Sequence, residues 1–386
     1  MKTYQFHLIL LIFISAVSGI CNARDYKVEL LDADDGFNAS VIFSIIQDQQ
    51  GFIWFGSGYQ GISRFDGKNL LNYRYRKNDK RSISSDHAGN IFLDSNNNLW
   101  IGSWGGGAIY FDQNTARFTQ YQYDAAQVDT ISDEYVQSIF QDSQGDIWFG
   151  TFTKGLNKFN PKNQSFTRFD FSLSNTSKPK KTSISSERIW DISQTEPNSI
   201  WLGTNYGLNK YNKITHEFSH FIPDPSKGIR SINKIRNILP TQHNSLLLTT
   251  DNGVLLFDLA TEKFTHLSTN AEFQLDEVFS IIKTSFNEYW VSSSKGIFSF
   301  SLNDLTLKKV DLGGVDYCSQ TLFEDKDQTI WLSCEGAGVY KINPVKGFQL
   351  NNTAEFKSVR SMSLSNDNQL LIAGSSSIFN YHINSG

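Results

Sequence analysis

The sequence has little of what marks several common protein classes. Among its 386 residues only 7 are Pro, 2 are Met and 3 are Cys, and the net charge is −4. Beyond the N-terminus no apolar run approaches the ~20 residues of a transmembrane helix. No Lys/Arg cluster gives the basic patch that nucleic acid attracts. We therefore expect a globular chain with no nucleic-acid partner and no membrane insertion of the mature protein.

The N-terminal residues differ from the rest of the chain. Lys2 supplies positive charge, residues 8–17 are apolar, and the segment 21–23 ends in the small residue Ala23. This order is typical of a secretory signal peptide, which we predict at residues 1–23. The mature chain is then exported, and it retains only Cys318 and Cys334 as candidates for one disulfide.

The chain is rich in aromatic residues, at 14%, and many of them recur at regular intervals. Six of the eight Trp residues occupy one position of a repeat of 40 to 53 residues. The position is held by Trp54, Trp100, Trp148, Trp201, Leu247, Trp290, Trp331 and Leu371. We call these residues the anchors.

The residues around each anchor predict a tight hairpin. In seven of the eight repeats the residue three positions before the anchor is Gly or Asn, the two residue types that most readily adopt a positive φ. These residues are Gly51, Asn97, Gly145, Asn198, Asn244, Asn287 and Asn368, and the one remaining repeat has Gln328. Asp48, Asp94, Asp142 and Asp325 open their turns, where a carboxylate accepts backbone N–H bonds. Two residues after the anchor the residue is always small, which suits a close backbone neighbour. The acids are thus interpreted as turn caps, and we predict no metal site.

Each repeat contains four short strands with period-2 alternation. In the third repeat they are predicted at 135–141, 146–151, 155–160 and 165–171. Four antiparallel strands every 40 to 50 residues describe a blade of an all-β propeller. The segment 26–31 precedes the first blade and can close the ring as an outermost strand. By counting alone, a single eight-bladed ring is slightly favoured.

The assembled motif reads "TIS … DSQGDIWFGT … GLNKF … FTRF" over residues 130–169. It closely resembles the two-component regulator propeller repeat, and the resemblance extends over about residues 26–386. The resemblance implies the periplasmic sensor region of a hybrid histidine kinase or diguanylate cyclase receptor. It favours a seven-bladed propeller at 24–345, followed at 346–386 by an eighth repeat that starts a second propeller. The eight-bladed ring stays the alternative.

Candidate ligand residues lie in loops that depart from the repeat. Loops between second and third strands share one face of a propeller with loops that lead into the next blade. We predict that Tyr59, Trp104, Phe152 and Tyr206 form an aromatic mouth there, with Arg188 and Arg230 to pair with a carboxylate or sulfate. Aromatic faces suit sugar rings, so carbohydrate is the candidate ligand class.

The sequence carries no nucleophile motif, P-loop or dinucleotide fingerprint, so we predict no enzyme activity, no cofactor and no catalytic residues. The function expected is a non-catalytic periplasmic sensor. Its partners are a small ligand, a kinase or cyclase output module outside this chain, and a second receptor copy. The alternatives are a secreted propeller enzyme, either a polysaccharide lyase or a glycosidase, and a protein-binding scaffold.

Overall fold

The computed structural model describes residues 26–37, 41–171, 180–227, 232–267, 275–303, 305–315 and 321–344, with three further strands between 359 and 382. The chain divides into two compact units, Met1–Pro344 and Val345–Gly386. The described residues form strands and turns without a helix, which agrees with the predicted all-β class. The predicted signal peptide lies outside the described residues.

The first unit contains seven antiparallel sheets of four strands, which we call blades one to seven. Blades one and two consist of β2 (Ile42–Gln47), β3 (Ile53–Ser57), β4 (Ile62–Phe65), β5 (Leu70–Tyr73), β6 (Asn90–Leu93), β7 (Leu99–Gly102), β8 (Ala108–Asp112) and β9 (Arg117–Tyr121). Blades three and four consist of β10 (Val136–Gln141), β11 (Ile147–Thr151), β12 (Leu156–Asn160), β13 (Ser165–Phe169), β14 (Ile189–Glu196), β15 (Ser199–Thr204), β16 (Gly207–Asn212) and β17 (Glu217–Phe221).

The remaining blades follow the same order. Blades five and six consist of β18 (Ile235–Pro240), β19 (Ser245–Thr250), β20 (Gly253–Asp258), β21 (Lys263–His266), β22 (Val278–Lys283), β23 (Tyr289–Ser293), β24 (Gly296–Phe300) and β25 (Lys308–Lys309). Blade seven consists of β26 (Leu322–Glu324), β27 (Ile330–Cys334), β28 (Gly338–Pro344) and the N-terminal strand β1 (Tyr26–Leu31). The four strands predicted for the third repeat are confirmed, with ends that differ by at most two residues.

The ring is closed by β1, which pairs antiparallel with β28 from Tyr26 opposite Pro344 to Leu31 opposite Val339. Blade seven also contacts blade one through β26 and β27, so the seven blades form a closed ring. The alternative of a single eight-bladed ring is therefore wrong. The N-terminal strand supplies the outermost strand as predicted, but to the seventh repeat rather than the eighth.

The second unit contains one three-stranded antiparallel sheet. Its strands are β29 (Val359–Leu364), β30 (Gln369–Gly374) and β31 (Ile378–His382). β29 has a register break between Val359 and Ser361, at the same place as in the innermost strands of the ring.

The predicted left-handed turn residues are confirmed at six positions. Positive φ values of 51° to 95° are found at Gly51, Asn97, Gly145, Asn244, Asn287 and Gln328. The prediction is wrong at Asn198, because β14 continues to Glu196 and pairs it with Ser199. Only Pro197 and Asn198 then remain for the turn, and the bulge geometry is lost. Asn368 lies outside the described residues.

The anchor Trp residues pack between neighbouring blades. Five of the six contact an aromatic ring on the third strand of the next blade, as Trp148 does with Tyr211 at 5.9 Å and Trp201 with Phe257 at 5.7 Å between ring centroids, while Trp290 contacts Tyr26 on β1. Seven apolar clusters, one between each pair of adjacent blades, contain these rings. The core of the propeller is thus divided into seven radial layers, of which six contain an anchor Trp and the layer between blades five and six contains Leu247.

The Asp that opens a turn has two partners rather than one. In blade three, one oxygen of Asp142 accepts the backbone N–H groups of Gln144 and Asp146 at 2.9 and 3.1 Å, which confirms the predicted cap. The other oxygen accepts the indole N–H of Trp148 at 2.9 Å. Asp48 and Asp325 make the same indole contact. The motif therefore fixes the rotamer of the anchor as well as the turn.

Candidate functional site

The innermost strand of most blades has a β-bulge immediately after its first residue. The register breaks between Ile42 and Ser44, and at the equivalent places in β10, β14, β18 and β22. A bulged residue is left out of the ladder, so its side chain can be turned out of the blade. The residues concerned are Phe43, Gln137, Trp190, Arg236 and Phe279, and all five line one cavity of about 650 Å³. We call it the axial cavity.

Three loop aromatics complete the wall of the axial cavity. Tyr59, Trp104 and Phe152 each lie between the second and third strands of their blades. The imidazole of His87 stacks on Trp104 with centroids 4.9 Å apart and an interplanar angle of 21°. The Trp104 ring in turn meets Phe152 edge-on at 5.0 Å. One side of the cavity is therefore a continuous aromatic surface.

The axial cavity is also lined by two cations, Arg188 and Arg236. The guanidinium carbon of Arg188 lies 3.2 Å from the Phe152 ring centroid and 4.9 Å from that of Trp190. Arg236 lies 5.5 Å from Trp190 and forms ion pairs with Asp251 at 2.7 Å and Glu277 at 3.3 Å. Stacking on aromatic faces holds the guanidinium planes against the wall, where they can contact an anionic group of a ligand.

Two polar atoms in the wall are buried without a hydrogen-bond partner among the described residues. They are Nδ1 of His87 and the side-chain carbonyl oxygen of Gln137. Burial lowers the pKa of His87, so its ring is neutral at neutral pH and can accept or donate one hydrogen bond. A buried polar atom without a partner is costly, so both atoms are suited to a ligand or to ordered water.

The structure brings together four of the six predicted ligand residues. Tyr59, Trp104, Phe152 and Arg188 line the axial cavity. Tyr206 does not line it, and this part of the prediction is not supported by the geometry. Asn205, four residues after its anchor, takes the place that Trp104 and Phe152 hold, and its side chain accepts the indole N–H of Trp190 at 2.7 Å. Arg230 lies outside the described residues.

The five bulged residues are not among those predicted from the sequence. They lie within strands whose alternation predicts buried side chains. The sequence nevertheless marks these residues. They stand five residues before each turn-opening position, and the residue type there varies between blades among Phe, Gln, Trp and Arg. The position before the bulged residue, such as Ile42 or Ile189, stays apolar in every one of these blades.

The described residues show no cluster of three or more metal-ligating side chains, and they include no helix long and apolar enough to cross a membrane. Cys334, at the end of β27, is disulfide-bonded. Its predicted partner, Cys318, lies outside the described residues, so that pairing stays a prediction.

Comparison with known proteins identifies the repeat. The family model described as two component regulator propeller matches residues 36–59 and 130–153. No curated protein shows significant similarity to the chain.

Many solved structures share the fold. The extracellular domain of the hybrid two component system BT3049 from B. thetaiotaomicron is 22% identical with a TM-score of 0.68, and the match covers 93% of this chain and 48% of that one. The extracellular domain of the one component system BT4673 from the same organism is 18% identical with a TM-score of 0.66, covering 84% and 43%. Virginiamycin B lyase from Staphylococcus aureus is 12% identical with a TM-score of 0.60, covering 83% and 100%.

The chain spans about half the length of the two B. thetaiotaomicron structures that it matches. At these identities the similarity establishes the fold, while the family model establishes the type of repeat. The chain therefore carries two-component regulator propeller repeats, as its sequence motifs predicted, on a seven-bladed β-propeller.

Proposed function

We propose that this chain is the ligand-binding propeller of an exported sensor in a signalling receptor. The observation that carries the proposal is the axial cavity. Its volume of about 650 Å³ lies within the ~300–1,000 Å³ of small-molecule sites. The cavity offers aromatic rings, guanidinium groups stacked beside them, and two buried polar atoms without partners in the described part of the wall.

The ligand that suits this wall has an apolar ring face and several polar groups. The ring face of the ligand would stack on Trp104 and Phe152, while its polar substituents would form hydrogen bonds with Arg188 and Gln137. Carbohydrate is the class we propose, with a carboxylate or sulfate substituent near Arg188. Binding would shift the receptor between states through a difference in affinity for them. We further propose that the receptor contains a kinase or cyclase output module outside this chain and acts together with a second copy of itself.

Export is proposed from the residues before the propeller. The positive charge of Lys2, the apolar residues 8–17 and the small residue Ala23 have the order of a signal peptide. The receptor relatives with this fold are described as extracellular domains. Together these observations support a periplasmic sensor.

A hydrolytic enzyme is less well supported by the same cavity. Glycosidases use a pair of carboxylates on either side of the scissile bond. Among the described residues that line the axial cavity none is Asp or Glu. The composition of the wall therefore favours recognition of a ligand over hydrolysis.

The test is a thermal-shift screen of the purified chain against neutral, carboxylated and sulfated oligosaccharides. The proposal predicts that at least one ligand raises the melting temperature in a concentration-dependent way, because a ligand that binds only the folded state stabilises it. A flat response across the panel would contradict a carbohydrate ligand and favour a protein partner for the same face.

A further inference from the structure

A second cavity, of about 550 Å³, lies between blades two and three. It is lined by the turns between first and second strands and between third and fourth strands, including Asp94, Asn96 and Pro161. In an antiparallel blade these turns are at the opposite end from the loops that line the axial cavity. We call this second cavity the wedge, and its chemistry is independent of the proposed sensor function.

The corresponding space between blades three and four contains a lysine. Nζ of Lys213 lies 2.9 Å from a carboxylate oxygen of Asp142 and 3.1 Å from the side-chain oxygen of Gln144. The side chain of Lys213 is only 11% exposed, and the carboxylate of Asp142 is fully buried. Blade four thus provides an ammonium group for the turn of blade three.

At the position equivalent to Lys213 the wedge has a proline; the next residue, Lys162, also lines the wedge, but its side chain is exposed and forms no ion pair with Asp94 or any other described residue. Lys213 stands six residues after Gly207, and six residues after the equivalent Gly155 stands Pro161. A proline ring is too short to reach across the space and carries no charge. The two interblade spaces are otherwise built alike, because Gln141 accepts the backbone N–H of Ser95 at 2.8 Å just as Gln194 accepts that of Ser143.

The acceptors for an ammonium group are nevertheless present in the wedge. Asp94 is 7% exposed, and one of its oxygens caps the turn by accepting the N–H groups of Asn96 and Asn98, both at 2.9 Å. Its other oxygen has no hydrogen bond to any described residue. Asn96 occupies the position of Gln144, two residues after the turn-opening acid. Asp94 thus matches Asp142 without its cation.

The anchor of blade two supports this comparison. Trp100 lines the wedge, is 3% exposed, and its indole N–H has no partner among the described residues. Tyr110 also lines the wedge, where burial and the charge of Asp94 raise its pKa to about 12. The carboxylate of Asp94 is therefore surrounded by rings and engaged by neither an indole nor a cation.

We propose that the wedge binds a primary alkylammonium group, which takes the place that Lys213 holds in the next space. The ammonium would contact the free oxygen of Asp94 and the side chain of Asn96, and its alkyl chain would lie against Trp100 and Tyr110. The group can come from a free amine or from a lysine side chain of another protein, since both present the same chemistry.

The test follows the indole N–H signals in ¹H–¹⁵N spectra of the purified chain. The Trp100 signal is assigned by its loss in Trp100→Phe. Titration with n-butylammonium should shift this signal saturably, whereas tetramethylammonium and n-butanol, at matched ionic strength, should not. A blocked lysine, Nα-acetyl-lysine methylamide, tests the second source: a tighter response than n-butylammonium indicates a protein lysine, and a weaker one a free amine.

One variant should weaken the response, a second should remove it, and a third should produce it at a second Trp. Asp94→Asn keeps the turn cap but removes the charge, so half-saturation should rise about tenfold or more. Pro161→Lys should supply the ammonium from within the chain and exclude the added amine. Lys213→Ala should make the Trp148 signal respond as well. A Trp100 signal that does not respond to n-butylammonium, or that responds equally in Asp94→Asn, would overturn the proposal.

Discussion

The side chain of Asp142 stabilises its own turn, the anchor Trp of its blade and the contact with the next blade. One oxygen caps its own turn, and the other binds the anchor Trp148 and the lysine of the next blade, Lys213, each at 2.9 Å. Burial alone would raise the pKa of Asp142, but the hydrogen bonds from Trp148 and Lys213 outweigh it and keep the pKa below its usual value. The carboxylate is therefore charged and fully compensated inside the ring.

We predict that Lys213→Met destabilises the chain by about 3–5 kcal/mol at pH 7, because it leaves a buried carboxylate without its cation. The measurement is urea unfolding. Because the pKa of Asp142 is lowered in the folded state, its contribution to stability is fully present above about pH 3.8 and is lost as the pH falls through the folded-state pKa, so the effect of the substitution should shrink in that range. Lys162→Met is the control, because Lys162 is exposed. Equal stability of the two variants would contradict the assignment.

Asp191, on the innermost strand of blade four, is a half-buried acid with the opposite behaviour. Its carboxylate accepts the N–H of Ile192 at 2.8 Å and, across the blade boundary, that of Ile238 at 2.7 Å. Burial nevertheless raises its pKa to about 7. Equivalent positions in other blades hold neutral residues: Ser44, Asn90, Ser138, Asn237, Ser280 and Thr321.

A raised pKa means that the folded state binds the proton more tightly. The stability that Asp191 contributes is fully present below about pH 3.8 and is lost as the pH rises to about 7. We predict that the unfolding free energy of Asp191→Asn rises relative to that of the unsubstituted chain as the pH increases over this range. A difference between the two chains that is the same at every pH does not affect this prediction. Unfolding free energies at a series of pH values measure this difference. A difference that does not change with pH would show that Asp191 does not titrate there.

Among the elements, β1 has the largest structural consequence. It covers the outer edge of β28, buries Leu31, and places Tyr26 against Trp290 at 5.3 Å between ring centroids. The sequence predicts this strand and its ring-closing role. The sequence does not predict its partner, because the seventh and eighth repeats both offer an apolar third strand.

Removal of residues 24–31 should lower the melting temperature by several degrees and broaden the transition, because blade seven loses its outermost strand. Calorimetry of chains that begin at residue 24 and at residue 32 measures this effect. Glu29→Ala, which changes an exposed side chain of the same strand, should leave the transition unchanged. A truncated chain that melts like the intact one would contradict closure of the ring by β1.

The turns and the bulges show where sequence reasoning succeeds and where it stops. A left-handed residue such as Asn97 or Gly145 is visible, because few residue types adopt a positive φ at low cost. A bulge such as that at Phe43 leaves the alternation of its neighbours nearly intact, so periodicity predicts a regular strand. The loop aromatics Trp104 and Phe152 could be predicted because they lie at loop positions that depart from the repeat. The bulged residues could not, because they lie inside strands with regular alternation.

For the molecule as a whole, the repeat separates stability from recognition. The anchors and the small residues after them build seven similar layers; at Gly102, for example, an added Cβ would lie 2.9 Å from the backbone of Val136 in the next blade. The axial cavity is built from positions that vary between blades. Substitutions there should change binding while the layers, and hence the fold, are preserved.

Calorimetric titration with the oligosaccharide that gives the largest thermal shift tests the central claim most directly. The claim is that the aromatic wall of the axial cavity binds the ligand of this propeller. Trp104→Ala should weaken binding at least tenfold, since stacking on an aromatic ring contributes about 1–3 kcal/mol. Tyr206→Ala, a loop aromatic outside the cavity, should bind like the unsubstituted chain. Unchanged affinity in Trp104→Ala would contradict the account.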